Sequence, residues 1–481
     1  MPTSLTSQQL LNTSRHKAWR DDGPTQGRCL WEMHGVWGWD RTKKEGVVLR
    51  ESYFIKDPTT KKKVSSIDAD ISLGTDLCLC QIDWYPDFYY PLINRWADRV
   101  RAASSTKKIV FVEPIPNEVI ILATSRSLVL ILLSSQFCPS SWTAEHQPDN
   151  MVYAPHWYDL NALFAKAFGN FTINVQGISR VDRVQGMFPL KAFYWGHKGA
   201  RDNFSLQIRN LVEASYRSLG ERPVIIGECG VPMDMNKGDA FKTEEWTAQS
   251  RMMDAMITGL ERSLIGFTLW NYNPDNDDHR GDDWNGENFS WFSRRRALPA
   301  SLLDYDQTAP TLDNGGRILR SVVRPYPAKT AGIPLKFDYD LNTGDLSFRW
   351  IVPSSQTDKK NEAQSAVGSP TVDDPPQSGH PLLTSNTTEI YLPSFIAHGS
   401  KIIVGGLGSK DSYRYDESVQ TLYIVAGDMT PGTIYQISVS LNPRLKPIFA
   451  VNDLWSDFGH HVVTALGFTL AVLAYFVTWM L

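Results

Sequence analysis

The chain opens with no apolar segment: Met1-Pro2-Thr3-Ser4-Leu5-Thr6-Ser7 lacks the hydrophobic stretch of a secretory signal. A cytoplasmic protein, or one on the cytoplasmic side of an intracellular membrane, is therefore expected. The sequons Asn170-Phe171-Thr172 and Asn203-Phe204-Ser205 then carry no glycan. No long basic stripe crosses the chain, and the formal net charge is only -4, so nucleic acid is excluded as a partner. Lys61-Lys62-Lys63 reads as a solvated loop. Cysteine is scarce, with five irregularly spaced residues that form no disulfide framework. Cys78 and Cys80 stand one residue apart, which is not a zinc spacing, so reduced thiols and no bound metal are expected. Nothing in the sequence calls for a cofactor, and nothing in it sets an oligomeric state.

Aromatic residues are plentiful at 11%, with 16 tryptophans. They suit sugar stacking and a large core alike. At 481 residues the chain has room for two or three domains. From residue 1 to about 310, apolar strand-like runs alternate with amphipathic segments. Lys108–Pro114 is a strand; Tyr90–Ala102, with Leu92, Ile93, Trp96 and Val100 at helical spacing, precedes it. Thr243–Ser263 is a helix with Trp246, Met252, Met253, Met256 and Leu260 on its apolar face. Strand, helix, strand with short loops is the β/α pattern.

Three apolar runs in this region end in groups that can bind a sugar or a proton. They are Met151-Val152-Tyr153-Ala154-Pro155-His156-Trp157-Tyr158-Asp159, Pro223-Val224-Ile225-Ile226-Gly227-Glu228-Cys229-Gly230, and Ile265-Gly266-Phe267-Thr268-Leu269-Trp270-Asn271-Tyr272. In a barrel of parallel strands the catalytic groups project from the C-terminal strand ends. The order points to a carboxylate-based hydrolase. Taken singly, a strand-end Glu is commonly structural, His156 fits a core histidine, and Trp270 fits a core aromatic. Asp277-Asp278-His279 and Asp282-Asp283 are acidic enough to suggest a metal-dependent hydrolase, but a solvated loop at the site mouth is the expectation.

Beyond 316 the pattern changes to period two. Leu335–Leu341, a turn at Asn342-Thr343-Gly344-Asp345, and Leu346–Val352 form a hairpin. Strands follow at Thr388–Leu392, Lys401–Val404, Thr421–Val425 and Thr433–Leu441, so residues 316–450 form an all-β sandwich domain. Residues 354–381, rich in Ser, Pro, Gly, Asp and Lys, read as a disordered loop. Residues 451–481 are a tail whose last 20 positions, Val462 to Leu481, carry no charge. That is the length a membrane-spanning helix needs, about 20 residues.

Two segments fit neither pattern. Val64–Gln81 and Val119–Gln136 are 18 residues each, and both begin with Val and end with Gln. Every Val codon begins GT and Gln can be CAG, so both read as translated introns. Joined across the second, the text runs Phe111-Val112-Glu113-Pro114-Ile115-Pro116-Asn117-Glu118, then Phe137-Cys138-Pro139.

Together with His34-Gly35-Val36-Trp37-Gly38-Trp39-Asp40, His156-Trp157-Tyr158-Asp159, Gly227-Glu228-Cys229-Gly230 and Trp270-Asn271-Tyr272-Asn273-Pro274-Asp275, this text resembles the fungal endoglycoceramidase-related branch of glycoside hydrolase family 5. The likeness runs over nearly the whole chain. It implies an α/β fold: the C-terminal half of a TIM (β/α)8 barrel over residues 1–315, followed by the sandwich and the apolar tail helix. It implies a retaining β-glucosidase of glycolipids, with ergosteryl β-glucoside and glucosylceramide both open as substrates, and a membrane as partner. Glu228 matches the nucleophile, Tyr158 the residue that hydrogen-bonds it, His156 a site histidine, and Trp270 the sugar platform. The family's acid/base glutamate belongs to an Asn-Glu-Pro motif ending the fourth strand, and no Asn-Glu-Pro occurs here. Asn117-Glu118 is followed by Val119, and Glu113-Pro114 matches the fifth strand, so neither is assigned as the acid/base. Only strands five to eight are then present, and the first four are expected upstream of Met1. Half a barrel leaves two strand edges unpaired, so the chain as written is expected to be inactive. The alternative is a non-catalytic, membrane-associated glycolipid-binding relic.

Overall fold

The computed structural model describes residues 37–40, 45–49, 85–106, 108–114, 142–169, 171–176, 192–302, 313–353, 385–448 and 454–480, with residues 32, 35, 42 and 43 besides. The segments 64–81, 119–136 and 354–381, the lysine run at 61–63, and Asn117 and Glu118 lie outside the described residues.

A short hairpin, β1 (Trp37–Asp40) and β2 (Glu45–Val48), comes first. Helix α1 (Tyr90–Ala102) follows as the spacing predicts, with Pro91 in its first turn, where a missing N–H costs nothing. Next come β3 (Val110–Val112) and β4 (Met151–Tyr153), paired in parallel with Val112 opposite Tyr153. Helix α2 (Leu160–Ala165), the antiparallel pair β5 (Phe171–Ile173) and β6 (Phe193–Trp195), and the long helix α3 (Gly196–Leu219) lead to β7 (Ile225–Cys229). Helix α4 (Thr247–Arg262) then leads to β8 (Gly266–Leu269), parallel to β7. A parallel bridge between Tyr153 and Val224 joins β4 to β7. The four parallel strands therefore stand in the order β3-β4-β7-β8, with helices in the connections from β4 to β7 and from β7 to β8, the β/α pattern that the sequence predicts.

Two apolar clusters hold this layer. Val110, Val112, Met151 and Tyr153 pack on Tyr85, Tyr90 and Ala97 of the α1 region. Ile226 and Cys229 of β7 pack with Phe204, Ile208 and Leu211 of α3 and with Met252, Met253, Met256 and Leu260 of α4. A Cβ at Gly259 would stand 3.0 Å from the Phe204 carbonyl carbon, so the glycine is what lets α4 lie against α3. Burial alternates along β3: Val110 and Val112 face the helices, while Phe111, on the opposite face, is 54% exposed. The buried Asn203 spends its amide on Thr172 Oγ1 at 2.9 Å, which closes that sequon to a glycan.

The second layer system is a β-sandwich. One sheet runs β10 (Ile333–Tyr339), β11 (Leu346–Ile351), β16 (Ile434–Asn442), β13 (Lys401–Gly405); the other runs β14 (Ser412–Asp416), β15 (Thr421–Val425), β12 (Thr387–Tyr391), β9 (Tyr326–Lys329). All pairings are antiparallel. Phe337, Phe348, Trp350, Ile390, Leu422, Ile424 and Ile437 fill the space between the sheets. The hairpin and four further strands lie where the period-two pattern puts them, while β9 and β14 carry too little alternation to be read. Helix α5 (Leu454–Met480) closes the described chain. Its stretch Val462–Trp479 is long and apolar enough to cross a membrane and buries none of its residues against the protein.

Candidate active site

The C-terminal ends of β3, β4 and β7 meet in one row. Ala154 N donates to Val112 O at 2.8 Å, Gly227 N to Pro155 O at 2.9 Å, and Trp157 N to Glu228 O at 2.9 Å. These bonds bring Glu113, His156 and Glu228 side by side at the rim. The Tyr158 hydroxyl donates to Glu228 Oε1 at 2.7 Å. Burial, its hydrogen bond to Glu228 and the carboxylate charge all push the Tyr158 phenol far above its ordinary range, so it remains a donor at every working pH. His156 Nδ1 lies 3.6 Å from the same Oε1, and its Nε2 lies 3.1 Å from Glu113 Oε1. Among the described residues no hydrogen bond engages Glu228 Oε2, which leaves that oxygen free to meet an electrophile.

Trp270 stands beside this row on the next strand. Its backbone N donates to Cys229 O at 2.7 Å, and its indole N–H donates to Glu287 Oε2 at 2.9 Å, which fixes the ring plane. Gly230 makes that approach possible: a Cβ there would meet the Trp270 carbonyl oxygen at 2.1 Å and the Phe289 ring at 3.0 Å. Phe289, buried, sets its ring edge-on to Tyr158 at 5.9 Å between centroids. All four sequence-predicted residues, Glu228, Tyr158, His156 and Trp270, thus share one end of the sheet. Cys229, next to the nucleophile candidate, is buried; desolvation and the Glu228 charge push its thiol well up, so it remains a thiol.

The acidic loop after β8 corrects one expectation. Asp282 is 5% exposed and accepts from Phe289 N at 2.7 Å and from Asn276 Nδ2 at 2.6 Å. Asp278 accepts from Ser293 Oγ at 2.9 Å and pairs with Arg296 at 3.0 Å and with the buried Arg317. Asp283, which pairs with Arg280 at 3.2 Å, and Asp275 are exposed, and Asp277 is partly exposed. Asp278 and Asp282 are therefore not part of a solvated rim; they are acceptors that fold the loop carrying Phe289 and Glu287 under Tyr158 and Trp270. Among the described residues no group of three or more His, Cys, Asp or Glu is placed to hold a metal. A cavity of about 1130 Å³ adjoins the site, lined by Lys166, Asp234, Phe241, Arg280 and Glu287 among others, and by neither Glu228 nor His156.

Glu113 is the residue that sequence reasoning set aside. It sits at a strand end, the position that also marked Glu228, and a proline follows it, but the missing Asn-Glu-Pro context left it without a role. Glu287 carried no local signal, because it reaches Trp270 across a 17-residue separation through a loop.

The chain is similar to known proteins over most of its length. Residues 324–439 match the glycoside hydrolase family 5 C-terminal domain. It is 41% identical over 355 residues to a glucosylceramidase of Cryptococcus neoformans var. grubii, covering 73% of this chain and 41% of that one. A glucosylceramidase of Rhizopus delemar is 33% identical over 431 residues, covering 88% of this chain and 51% of the relative. An ergosteryl-beta-glucosidase of Saccharomyces cerevisiae is 25% identical over 283 residues, covering 59% and 31%. The crystal structure of Cryptococcus neoformans sterylglucosidase 1 with tris superposes with a TM-score of 0.61 at 21% identity, over 87% of this chain and 50% of that one. The chain spans about half the length, or less, of the curated relatives it matches. By these matches residues 324–439 belong to the glycoside hydrolase family 5 C-terminal domain family, and the chain as a whole is similar to fungal glucosylceramidases and a steryl β-glucosidase.

Proposed function

We propose that this chain carries the nucleophile half of a retaining β-glucosidase that hydrolyses glycolipids, a steryl β-glucoside or glucosylceramide. The observation that supports it best is the Tyr158–Glu228 hydrogen bond of 2.7 Å beside Trp270, with Oε2 left open. Glu228 attacks the anomeric carbon, the glycosidic C–O bond breaks, and the aglycone oxygen takes a proton from a general acid. Water, deprotonated by the same group, then releases the sugar with its configuration retained. Trp270, held by Glu287, stacks on the apolar face of the ring.

The general acid is a second carboxyl group about 5–5.5 Å from the nucleophile in retaining enzymes. Here we assign it to an Asn-Glu-Pro glutamate on barrel strands encoded upstream, with 64–81 and 119–136 as translated introns. Loss of general acid–base assistance costs roughly 10²–10⁴ in rate, so the chain by itself is inactive on natural glycolipids. The length and apolar composition of α5 support an enzyme held on the cytoplasmic side of an intracellular membrane, the alternative being a cytoplasmic protein.

The nucleophile is tested without the general acid. A 2-deoxy-2-fluoroglucosyl fluoride needs no proton on its leaving group: C1–F breaks, fluoride departs, and a C1–Oε bond forms. Intact mass and peptide mapping should find the sugar on Glu228, with Glu228→Gln unlabelled and equally folded. A label on another residue, or none on a folded chain, refutes the reading in favour of a non-catalytic glycolipid-binding protein.

A further inference from the structure

The row of strand ends contains a carboxylate that the reaction above leaves without a role. Glu113 Oε1 lies 3.1 Å from His156 Nε2, within hydrogen-bond reach. The other ring nitrogen, Nδ1, lies 3.6 Å from Glu228 Oε1, beyond that reach. Among the described residues no lysine or arginine pairs with Glu113 or Glu228, so His156 is the one basic side chain between the two carboxylates. The backbone that carries Glu113 is pinned from both sides. Its strand pairs in register with β4, and the Tyr89 hydroxyl donates to the Glu113 carbonyl oxygen. Burial lifts the Tyr89 phenol above its ordinary range, so this donor persists.

A neutral imidazole has a single N–H to give. A carboxylate within reach of one ring nitrogen fixes both tautomer and ring orientation. With Glu113 taking the proton at Nε2, the bare Nδ1 is turned toward the flank of Glu228, where a sugar whose anomeric carbon meets Oε2 presents its nearest hydroxyl. We infer that Glu113 is a positioning residue. It accepts the Nε2 proton of His156 and holds Nδ1 as an acceptor for a hydroxyl of the reacting sugar. The inference rests on Glu228 being the nucleophile. A free His156 ring could turn about χ2 and present the wrong edge; β4 alone fixes its Cα, not its face.

The test uses the purified full chain with a dinitrophenyl β-glucoside, whose leaving group departs without a proton. With no general base to hydrolyse the glycosyl-enzyme, dinitrophenolate appears as a burst whose rate constant reports glycosylation. Glu113→Ala should slow the burst about 10- to 100-fold, the scale of loss seen when the carboxylate partner of a metal-bound histidine is removed, with apparent substrate binding unchanged. Glu113→Gln keeps an amide oxygen that accepts from Nε2 and should restore most of the rate. A nitrogen-15 spectrum of histidine-labelled protein supplies a readout independent of turnover. The His156 Nε2–H signal, assigned with His156→Asn, should persist in Glu113→Gln and shift or vanish in Glu113→Ala. A wild-type burst rate in Glu113→Ala, equal losses in both variants, or an unchanged ring signal overturns the inference. If the wild-type chain gives no burst at all, the nucleophile reading falls, and the ring spectrum still decides whether Glu113 positions His156.

Discussion

Replacing Arg324 with methionine exposes what joins the barrel layer to the sandwich. Arg324 is 3% exposed at its side chain and donates to Asp254 Oδ1 at 2.6 Å, Glu261 Oε1 at 2.8 Å and Glu261 Oε2 at 2.6 Å. Both acids belong to α4, while Arg324 stands two residues before β9. The guanidinium also lies 4.7 Å over the Tyr339 ring of β10. Methionine keeps most of the side-chain volume but leaves two buried carboxylates without their main cation. Removing one partner of a buried ion pair costs about 3–5 kcal/mol. At roughly 2–4 °C per kcal/mol for a domain of this size, Tm falls by about 10 °C.

The pH dependence has a definite sign. Burial would raise the Asp254 carboxyl, but Arg324, His197 and Arg201 together hold it below its ordinary value. Its contribution is therefore present above the unfolded carboxylate range and is lost only as pH falls through the depressed folded value. Glu261 goes the other way: burial raises it despite Arg324, so it costs stability as pH rises past its unfolded value. In Arg324→Met both groups lose their largest lowering partner and shift upward, Asp254 less so because His197 and Arg201 remain beside it. The deficit against wild type is then largest near neutrality and shrinks as pH falls toward the unfolded carboxylate range, about pH 4. Thermal unfolding by circular dichroism at matched concentrations across that range checks this. A Tm within about 2 °C of wild type at neutrality, or a pH-independent deficit, refutes the reasoning.

Gly230→Ala places a Cβ 2.1 Å from the Trp270 carbonyl oxygen. The end of β8 must shift, and a misplacement near 1 Å costs on the order of 10²-fold; the rate of fluoroglucoside labelling measures it. Deleting 462–481 should move the protein from the floating to the soluble fraction in liposome flotation, and a tail-less chain that still floats would contradict the anchor. The mature transcript should lack codons 64–81 and 119–136 and encode Asn-Glu-Pro upstream in frame; native peptides from within either segment would refute the intron reading there.

Much of the fold was legible where burial is one-sided. Helix α1 and the hairpin β10–β11 announce themselves because one face of each meets the core and the other meets water, which imprints a period of 3.6 or 2. Strands β9 and β14 did not: β9 is four residues long with a proline inside, and β14 is an edge strand that exposes its first three residues. The acidic loop after β8 was misread for a related reason. Asp278 and Asp282 look like solvent-facing residues, but Arg296, Arg317 and the Phe289 amide reach them from later in the chain.

What the sequence determined by itself was the set of strand ends and the chemistry each carries: a glutamate after Val224-Ile225-Ile226-Gly227, a His-x-Tyr after β4, a tryptophan after β8. Local periodicity and motif suffice for that, because they depend on residues close in the chain. What only the tertiary structure decided was adjacency. That Glu113, His156 and Glu228 form one row, that Glu287 holds the Trp270 indole, and that Arg324 binds α4 to the sandwich are lateral relations across strands and layers. Hydrogen-bond register and helix packing set them between residues 17 to 72 positions apart, and no local pattern of hydrophobicity encodes a neighbour at that distance.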